Sequence, residues 1–358
     1  MTNIIELTKQ LVSIPSWVDS KTNEIKIAEY IFDYLKNNSP LNVIKEAVID
    51  GRFNILASNS RDIDCLLAGH MDTVGIDNTW DTDPTTPIII DEKLYGRGAT
   101  DMKSGLAAMM LLACQKELPP NIGFLFYIDE EYKFQGMNKF ITDYGAIIKP
   151  KTIICLDGSE LEIANGCRGL IEVQLEIIGK TAHAGTPENG ISAIEAGYKI
   201  YQKLKEYLSA FEDPELGTTS INLGLISGGS APNLVPGNCQ LTLDIRPSVS
   251  NLNGQLISNK IIEFAKSELV KVENLKINFD FGSWLTPKSK LEKFGLPFKN
   301  IRKSGYFDTQ LLWEKFGQPV SFTIGAGAQN TAHSSNEYIE IAKLEQLPKI
   351  LFDIIQKI

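Results

Sequence analysis

Strand-like and helix-like patterns alternate along the chain, and this order constrains the fold more than any single motif. Four short runs are almost wholly apolar: residues 64–68, 122–128, 152–156 and 320–324. Residues 4–37 and 104–118 show helical spacing, with interruptions at Pro15 and Pro119. Apolar strands separated by helices are typical of a parallel sheet that helices cover on both faces. We therefore expect an α/β fold with a mainly parallel sheet.

The middle of the chain follows a different pattern. Residues 170–179 and 239–245 alternate apolar with polar side chains, as half-exposed antiparallel strands do. An amphipathic helix over 191–208 lies between them, and residues near 275–281 add a strand. The 358 residues exceed the roughly 100–200 of one domain. We predict an α+β domain over 169–285, inserted into an α/β domain formed by 1–168 and 286–358.

Charge and hydropathy exclude several classes of partner. The net charge is −9 and no basic stripe is present, which argues against a nucleic-acid partner. The longest apolar run, 105–114, is far shorter than the roughly 18–20 residues of a membrane span. Glu6 and Lys9 interrupt the first apolar pattern, so it does not read as a secretory signal. We expect a cytoplasmic protein without membrane contact.

The chain has three histidines, His70, His183 and His333, and each lies near Gly, Ser or Thr in an expected loop. His70 follows an apolar strand, and Asp72 comes two residues later. This spacing lets the carboxylate accept a hydrogen bond from the imidazole nitrogen that does not bind metal. His333 follows the strand at 320–324.

Carboxylates follow the other strands. Asp129, Glu130 and Glu131 come directly after 122–128, and Asp157 comes directly after 152–156. Three adjacent carboxylates repel one another, so they either lie in a solvated loop or face a positive charge. Asp101 opens a helix, where it serves either as a helix N-cap or as a ligand.

In an open α/β sheet, ligands bind outside the carboxyl ends of the strands. Two imidazoles and several carboxylates would meet at that edge here. So many acidic groups suit a two-metal site with a bridging carboxylate. Mixed nitrogen and oxygen ligands favour zinc, cobalt or manganese.

With these residues, the chain resembles the co-catalytic zinc peptidase and amidohydrolase family. That family includes acetylornithine deacetylase, succinyl-diaminopimelate desuccinylase, aminoacylase-1, carboxypeptidase G and peptidase T. The matching stretches occur in the family's order: 67–74, 95–105, 129–131, 179–185, 231–236, 244–246 and the His333 loop.

The resemblance implies two zinc ions per chain, with Co²⁺ or Mn²⁺ as substitutes. His70 and Asp157 would be terminal ligands of one ion, and Glu131 and His333 those of the other. Asp101 would bridge the two ions.

The resemblance also implies roles outside the ligand set. Glu130 resembles the general base, which activates the metal-bound water and then protonates the leaving amine. Asp72 resembles the residue that orients the first histidine. The inserted domain resembles the family's dimerisation or lid domain. His183 and Asn233 would come from this domain, often from that of the partner subunit, and would stabilise the oxyanion. Arg246 would hold the substrate's α-carboxylate.

Some positions depart from the family pattern. Asp157 stands where many deacylases have Glu, whereas some small-peptide peptidases have Asp. Glu160 is a rival ligand to Asp157. Residues 325–327 stand where Gly-Pro-Gly is frequent, and 306–309 fall in a stretch that varies among subfamilies.

We therefore expect a homodimeric metal-dependent hydrolase of small N-acyl amino acids, of the deacetylase or desuccinylase type. A di- or tripeptidase or a carboxypeptidase of the same family is the alternative. A non-catalytic metal- or peptide-binding protein would not need Glu130. The Gly-rich turns match no phosphate-binding motif, and no G-x-S-x-G segment indicates a serine hydrolase.

Overall fold

The computed structural model describes residues 3–77, 79–302, 304 and 309–358. The chain forms two compact units. The first comprises Met1–Asn165, Thr286–Lys299 and Leu311–Ile358, and the second comprises Gly166–Leu285 and Asn300–Gln310. Residues 300–310 thus group with the second unit, whereas the sequence placed 286–358 with the first.

Helices and strands alternate along most of the chain. In chain order they are α1 (Ile4–Val12), α2 (Ile25–Asn38), β1 (Asn42–Ile49), β2 (Arg52–Ser58), β3 (Cys65–His70), β4 (Ile88–Ile90), β5 (Lys93–Tyr95), α3 (Ser104–Ala113), β6 (Ile122–Tyr127), α4 (Gln135–Tyr144), β7 (Thr152–Cys155), β8 (Gly166–Cys167), β9 (Leu170–Ile178), α5 (Ala193–Ser209), β10 (Glu212–Asp213), β11 (Gly217–Thr218), β12 (Ser220–Gly228), β13 (Asn238–Arg246), α6 (Gly254–Ser267), β14 (Lys271–Phe281), β15 (Trp284–Leu285), α7 (Thr309–Lys315), β16 (Val320–Thr323), β17 (Tyr338–Glu340) and α8 (Ile341–Ile355).

The first unit is built on a six-stranded sheet in the order β1-β2-β6-β3-β7-β16. Strands β6, β3, β7 and β16 run parallel to one another, and β1 and β2 add an antiparallel hairpin at one edge. The predicted α/β fold with a mainly parallel sheet is confirmed. The hairpin was not predicted from the sequence.

Apolar spacing explains the helices of this unit. Ile4, Leu7 and Leu11 bury one face of α1, and the side chain of Asn3 caps its first turn by accepting from the Glu6 amide at 2.8 Å. Helix α3 is buried on almost every side. It ends at Ala113, because residues 115–117 are polar and exposed, so the predicted extension to 118 is wrong.

The second unit contains a four-stranded antiparallel sheet in the order β12-β13-β9-β14. Buried and exposed side chains alternate along β9 and β13, as the sequence pattern predicted. Helices α5 and α6 cover the sheet. Strand β12 and helix α6 were not predicted. Among the described residues, no helix combines the length and the apolar character that crossing a membrane requires.

Candidate metal centre

The carboxyl ends of the parallel strands bring the predicted ligands of the first unit close in space. His70 is the last residue of β3, which lies between β6 and β7 in the sheet. The loop after β6 carries Glu130 and Glu131, and Asp157 follows β7. Asp101 lies in the irregular turn before α3.

The Asp101 carboxylate lies between two imidazoles. Its Oδ1 is 3.0 Å from His70 Nε2, and its Oδ2 is 3.2 Å from His333 Nε2. His333 Nε2 also lies 2.9 Å from Glu131 Oε1. One ligand atom from each of His70, Asp101 and Glu131 lies within 4.8 Å of the others. Each oxygen of Asp101 therefore faces a different imidazole, which is the orientation of a bridging carboxylate.

The structure answers whether Asp101 is only a helix cap. The N-cap position of α3 is Lys103, and no side chain caps this helix end. The carboxylate of Asp101 faces His70 and His333 instead.

Asp72 contacts both His70 and the turn after β6. His70 Nδ1 lies 3.1 Å from the main-chain oxygen of Asp72 and 3.6 Å from its Oδ1. The nearer partner is thus the backbone carbonyl and not the predicted carboxylate. The carboxylate instead accepts from the amides of Glu130 at 3.1 Å and Glu131 at 2.9 Å. These contacts leave Nε2 of His70 directed at Asp101.

A buried ion cluster supports the turn after β6. Arg52 donates to both carboxylate oxygens of Glu24, at 2.7 and 2.5 Å, and to Oδ1 of Asp129 at 2.7 Å. Glu24 also accepts from the Asp129 amide at 3.0 Å. Asp129 has a positive φ of 69°, which a bonded carboxylate side chain helps to hold. Arg52 is therefore the positive charge that offsets the first of the three adjacent carboxylates. Sequence reasoning missed it because 77 residues separate Arg52 from Asp129.

Contacts between opposite charges shift the pKa values of Asp101 and of the two histidines beside it. Burial alone would raise the pKa of Asp101, but hydrogen bonds from His333 and His70 hold it below its ordinary value. Hydrogen bonds to Asp101 and Glu131 raise the pKa of His333 to about 10. Burial lowers the pKa of His70, but the nearby carboxylates of Asp101 and Asp72 outweigh that and raise it.

The remaining carboxylates repel one another. Burial is the main cause that raises the pKa of Glu130 and Asp157 well above the ordinary range, and that of Glu131 to a lesser degree. Neighbouring carboxylates add to this effect in each case. A bound divalent cation would offset the repulsion. The donor set of imidazole nitrogens and carboxylate oxygens fits zinc, cobalt or manganese.

Glu160 is engaged elsewhere. It forms an ion pair with Lys343 at 2.5 Å and accepts from the Gln329 amide at 3.0 Å. Asp157, by contrast, has Asp101 and His70 as its main electrostatic neighbours. The contacts thus favour Asp157 over Glu160 as the ligand.

The glycines at 158 and 325 allow two strand ends to approach. A Cβ on Gly158 would lie 2.4 Å from the backbone nitrogen of Gly325, closer than any side chain tolerates. The loops after β7 and β16 therefore pack backbone to backbone. This contact holds the loop that begins with Asp157 against the segment that leads to His333.

The other predicted site residues belong to the second unit. His183 and Asn233 are exposed and lie on adjacent segments, since His183 pairs with Leu234 and the Ala184 amide donates to the Asn233 carbonyl at 2.9 Å. Arg246 is half-buried, and Asp244 holds its guanidinium bidentately at 2.7 and 2.8 Å. Of the variable stretch 306–309, residues 306–308 lie outside the described residues.

Comparison with known proteins assigns the family. A sequence model of the peptidase family M20/M25/M40 matches residues 66–357. The chain belongs to this family. It is 28% identical over 378 residues to an acetylornithine deacetylase of Buchnera aphidicola subsp. Schizaphis graminum, an alignment that covers 99% of this chain and 97% of the relative.

Solved structures share the fold of this M20 protein. Aminopeptidase PepT from Bacillus cereus superposes with a TM-score of 0.77 at 22% identity and covers 99% of this chain and 98% of its own. A dinuclear metal-binding M20 peptidase from Bacillus subtilis gives 0.70 at 14% identity, with 98% and 96% covered. The M20 protein is a metal-binding hydrolase that acts on amide C–N bonds. It is therefore an enzyme and not a non-catalytic binding protein.

Proposed function

We propose that this enzyme hydrolyses the amide bond of a small N-acyl amino acid, as a deacetylase or desuccinylase does. The similarity to an acetylornithine deacetylase along almost the whole of both chains carries the proposal. One observation favours a di- or tripeptidase or a carboxypeptidase instead. The candidate ligand after β7 is Asp157, and in the family some small-peptide peptidases have Asp where many deacylases have Glu.

The candidate metal centre would hold two ions, which we propose to be zinc, with Co²⁺ or Mn²⁺ as substitutes. His70 and Asp157 would bind one ion, Glu131 and His333 the other, and Asp101 both. Asp101 presents one carboxylate oxygen to His70 and the other to His333, which supports this assignment of ligands to the two ions. When bound, such ions polarise the amide carbonyl and lower the pKa of water.

We assign proton transfer to a carboxylate oxygen of Glu130. Its amide is fixed by Asp72, and it lies among the other carboxylates of the centre. A carboxyl with a raised pKa accepts a proton from water and returns it to the leaving nitrogen near neutral pH. Glu131 contacts His333 at 2.9 Å, whereas the Glu130 side chain has no ion pair with a histidine among the described residues, which leaves its carboxylate for the substrate.

In the second unit, His183 and Asn233 would donate hydrogen bonds to the developing oxyanion. Their adjacent, exposed positions support a shared role. Arg246 would bind the substrate carboxylate through the N–H groups that Asp244 does not occupy. Asp244 then serves to hold the guanidinium in a fixed direction.

A homodimer is part of the same proposal, with the second unit as the dimerisation domain. Within the described part of the chain, β12 is an edge strand that pairs with β13 alone. Leu225 and Ile226 on this edge are 69% and 46% exposed. An edge strand with exposed apolar side chains is a template for a second copy. Leu225→Lys should convert the dimer to a monomer in light scattering.

Amine release tests the substrate class. Zinc- or cobalt-loaded enzyme is incubated with N-acetylornithine, other N-acetyl and N-succinyl amino acids, and free di- and tripeptides. We expect turnover of the acyl amino acids alone. Turnover of free peptides alone would make the enzyme a peptidase and Asp157 the informative difference.

A further inference from the structure

Glu337 has no role in the mechanism above, yet it is wholly buried beside the metal centre. Its Oε1 accepts from the amides of Thr100 at 2.8 Å and Asp101 at 2.9 Å. Its Oε2 accepts from the amide of Gly98 at 3.0 Å and from Nη1 of Arg97 at 2.9 Å. All four donors belong to the segment 97–101, which leads into Asp101.

That segment depends on an external acceptor. Gly98 has a φ of +85°, and Asp101 and Met102 have φ values of −122° and −131°, so the backbone is not helical there. Buried amides that cannot join a helix or sheet must find another partner. The Glu337 carboxylate accepts from three of these amides at once.

The same carboxylate belongs to the segment that carries His333, four residues earlier. The two segments are joined at further points. The Gly96 amide donates to the Glu337 carbonyl at 3.0 Å, and Thr100 Oγ1 donates to the Tyr338 carbonyl at 2.6 Å. Strand β5 also pairs with β17. Asp101 and His333 therefore lie on two backbone segments that the Glu337 side chain holds together.

We propose that Glu337 is a positioning residue that fixes the direction of the Asp101 carboxylate, and with it the spacing of the two metal positions. This inference rests on the proposed two-metal site. Asp101 presents a different oxygen to each imidazole, so a rotation of its carboxylate would alter both positions together. The ion that Asp101 shares with Glu131 and His333 should be the more affected, because the His333 segment is itself tied to Glu337.

Glu337→Gln is the informative variant. An amide NH₂ would face N–H donors where the carboxylate now accepts, so at least one pair of contacts is lost. Groups that orient metal ligands typically contribute about 10–100-fold to affinity. We expect the ion that Asp101 shares with Glu131 and His333, called the second ion below, to bind about 10–100-fold more weakly to this variant. Glu337→Asp keeps the charge and should recover part of the loss. Glu345→Gln, on the exposed face of α8, is the matched control.

The experiment titrates metal-free protein with Co²⁺ and follows heat and visible absorption. Urea unfolding of the metal-free proteins is measured beside it. Wild type that binds fewer than two ions would overturn the two-metal proposal and this inference with it. Wild type with two ions, and Glu337→Gln with a weakened second ion and an altered spectrum, would support the inference.

Two results would overturn the inference while the two-metal site stands. One is equal binding of both ions by Glu337→Gln. The other is a loss of metal-free stability with an unchanged spectrum, which would make Glu337 a structural anchor only. If Glu337→Gln does not fold without metal, Glu337→Asp decides by the same two criteria.

Discussion

The two units hold their candidate site residues in different ways. In the first unit, the buried carboxylates of Glu337 and Asp72 accept several hydrogen bonds each and hold the backbone at Asp101 and Glu131, and the Asp72 carbonyl contacts His70. In the second unit, His183 and Asn233 are exposed, and Arg246 has its main contact with one half-exposed carboxylate. The difference indicates that the first unit is organised before substrate binds. In the proposed function, the second unit would supply exposed residues whose positions substrate binding still has to fix.

Two arginines show the contrast most directly. Arg52 is 8% exposed and binds Glu24 and Asp129, which are 0% and 1% exposed. The side chains of Arg246 and Asp244 are 30% and 35% exposed. Removing one partner from a buried ion cluster leaves a buried charge without a counter-charge, which lowers stability strongly. Water can solvate the remaining charge of an exposed pair, so the loss there is small. An arginine–carboxylate contact is therefore expected to contribute more to the free energy of unfolding in the first unit than in the second.

The largest expected effect concerns Glu130. Glu130→Gln keeps the shape of the side chain but cannot accept a proton. General base catalysis contributes about 10²–10⁴-fold to the reaction rate, so we expect kcat to fall by about 10²-fold or more. Metal content, measured on the same sample, should stay at the wild-type value. Near wild-type turnover would mean that another group is the base.

The second prediction moves to the other unit. His183→Ala should lower kcat by about 10²–10³-fold, the usual effect of one oxyanion donor. Bound metal should not change, because His183 lies outside the ligand set. Loss of metal in this variant would contradict its placement. Glu188→Gln, in the same exposed loop, is the control.

Stability should separate the two arginines. Arg52→Met should lower the free energy of unfolding by about 3–5 kcal/mol, because Glu24 and Asp129 stay buried without their cation. Arg246→Met should cost less than about 1 kcal/mol. Urea unfolding of the metal-free proteins measures both. Equal losses would break the comparison between the units.

Arg246 should act through substrate affinity. Arg246→Lys keeps the charge but loses the planar fork, so KM should rise about tenfold for a substrate with a free carboxylate. The matching carboxamide should show no such change. Arg61→Lys, an exposed arginine of the first unit, is the control. A kcat effect with unchanged KM would assign Arg246 another role.

The last prediction concerns a carboxyl away from the metal centre and tests whether burial raises its pKa. Glu46 in β1 is 8% exposed and accepts from Asn54 at 2.6 Å, and burial followed by nearby Asp143 raises its pKa to about 7. The folded state then binds this proton more tightly than the unfolded state, so stability falls as pH rises from about 4.5 to 7. Glu46→Gln should therefore be more stable than wild type at pH 8 and equal to it at pH 4, with the difference developing between about pH 4.5 and 7. The same difference at both pH values would contradict this.

The sequence predicted the parts of the fold that local pattern determines. Strands β3, β6 and β7 were found because they are continuous apolar runs, and strand ends in a parallel sheet meet at one edge. The hairpin of β1 and β2 was missed, because its first strand lies half-exposed and mixes polar with apolar residues. Helix α6 was missed although its apolar residues recur at helical spacing.

The candidate site was predictable only where motif and strand end coincide. His70, Glu131 and Asp157 came from such positions, whereas Asp101 came from an expected helix start. Glu24, Arg52 and Glu337 did not, because each acts through partners far away in the chain. One local signal existed for Glu337, which follows His333 by four residues. The bidentate hold of Asp244 on Arg246 could also have been read from the spacing of the two residues along one strand face.

The central claim is that Asp101 joins two metal ions in a hydrolytic site, and Asp101→Asn tests it most directly. Metal count and amine release are measured on the same samples of wild type and variant. We expect two ions per chain in wild type and no more than one tightly bound ion in the variant, with turnover reduced by at least about 10³-fold. Two ions bound with wild-type affinity, together with retained turnover, would contradict the account.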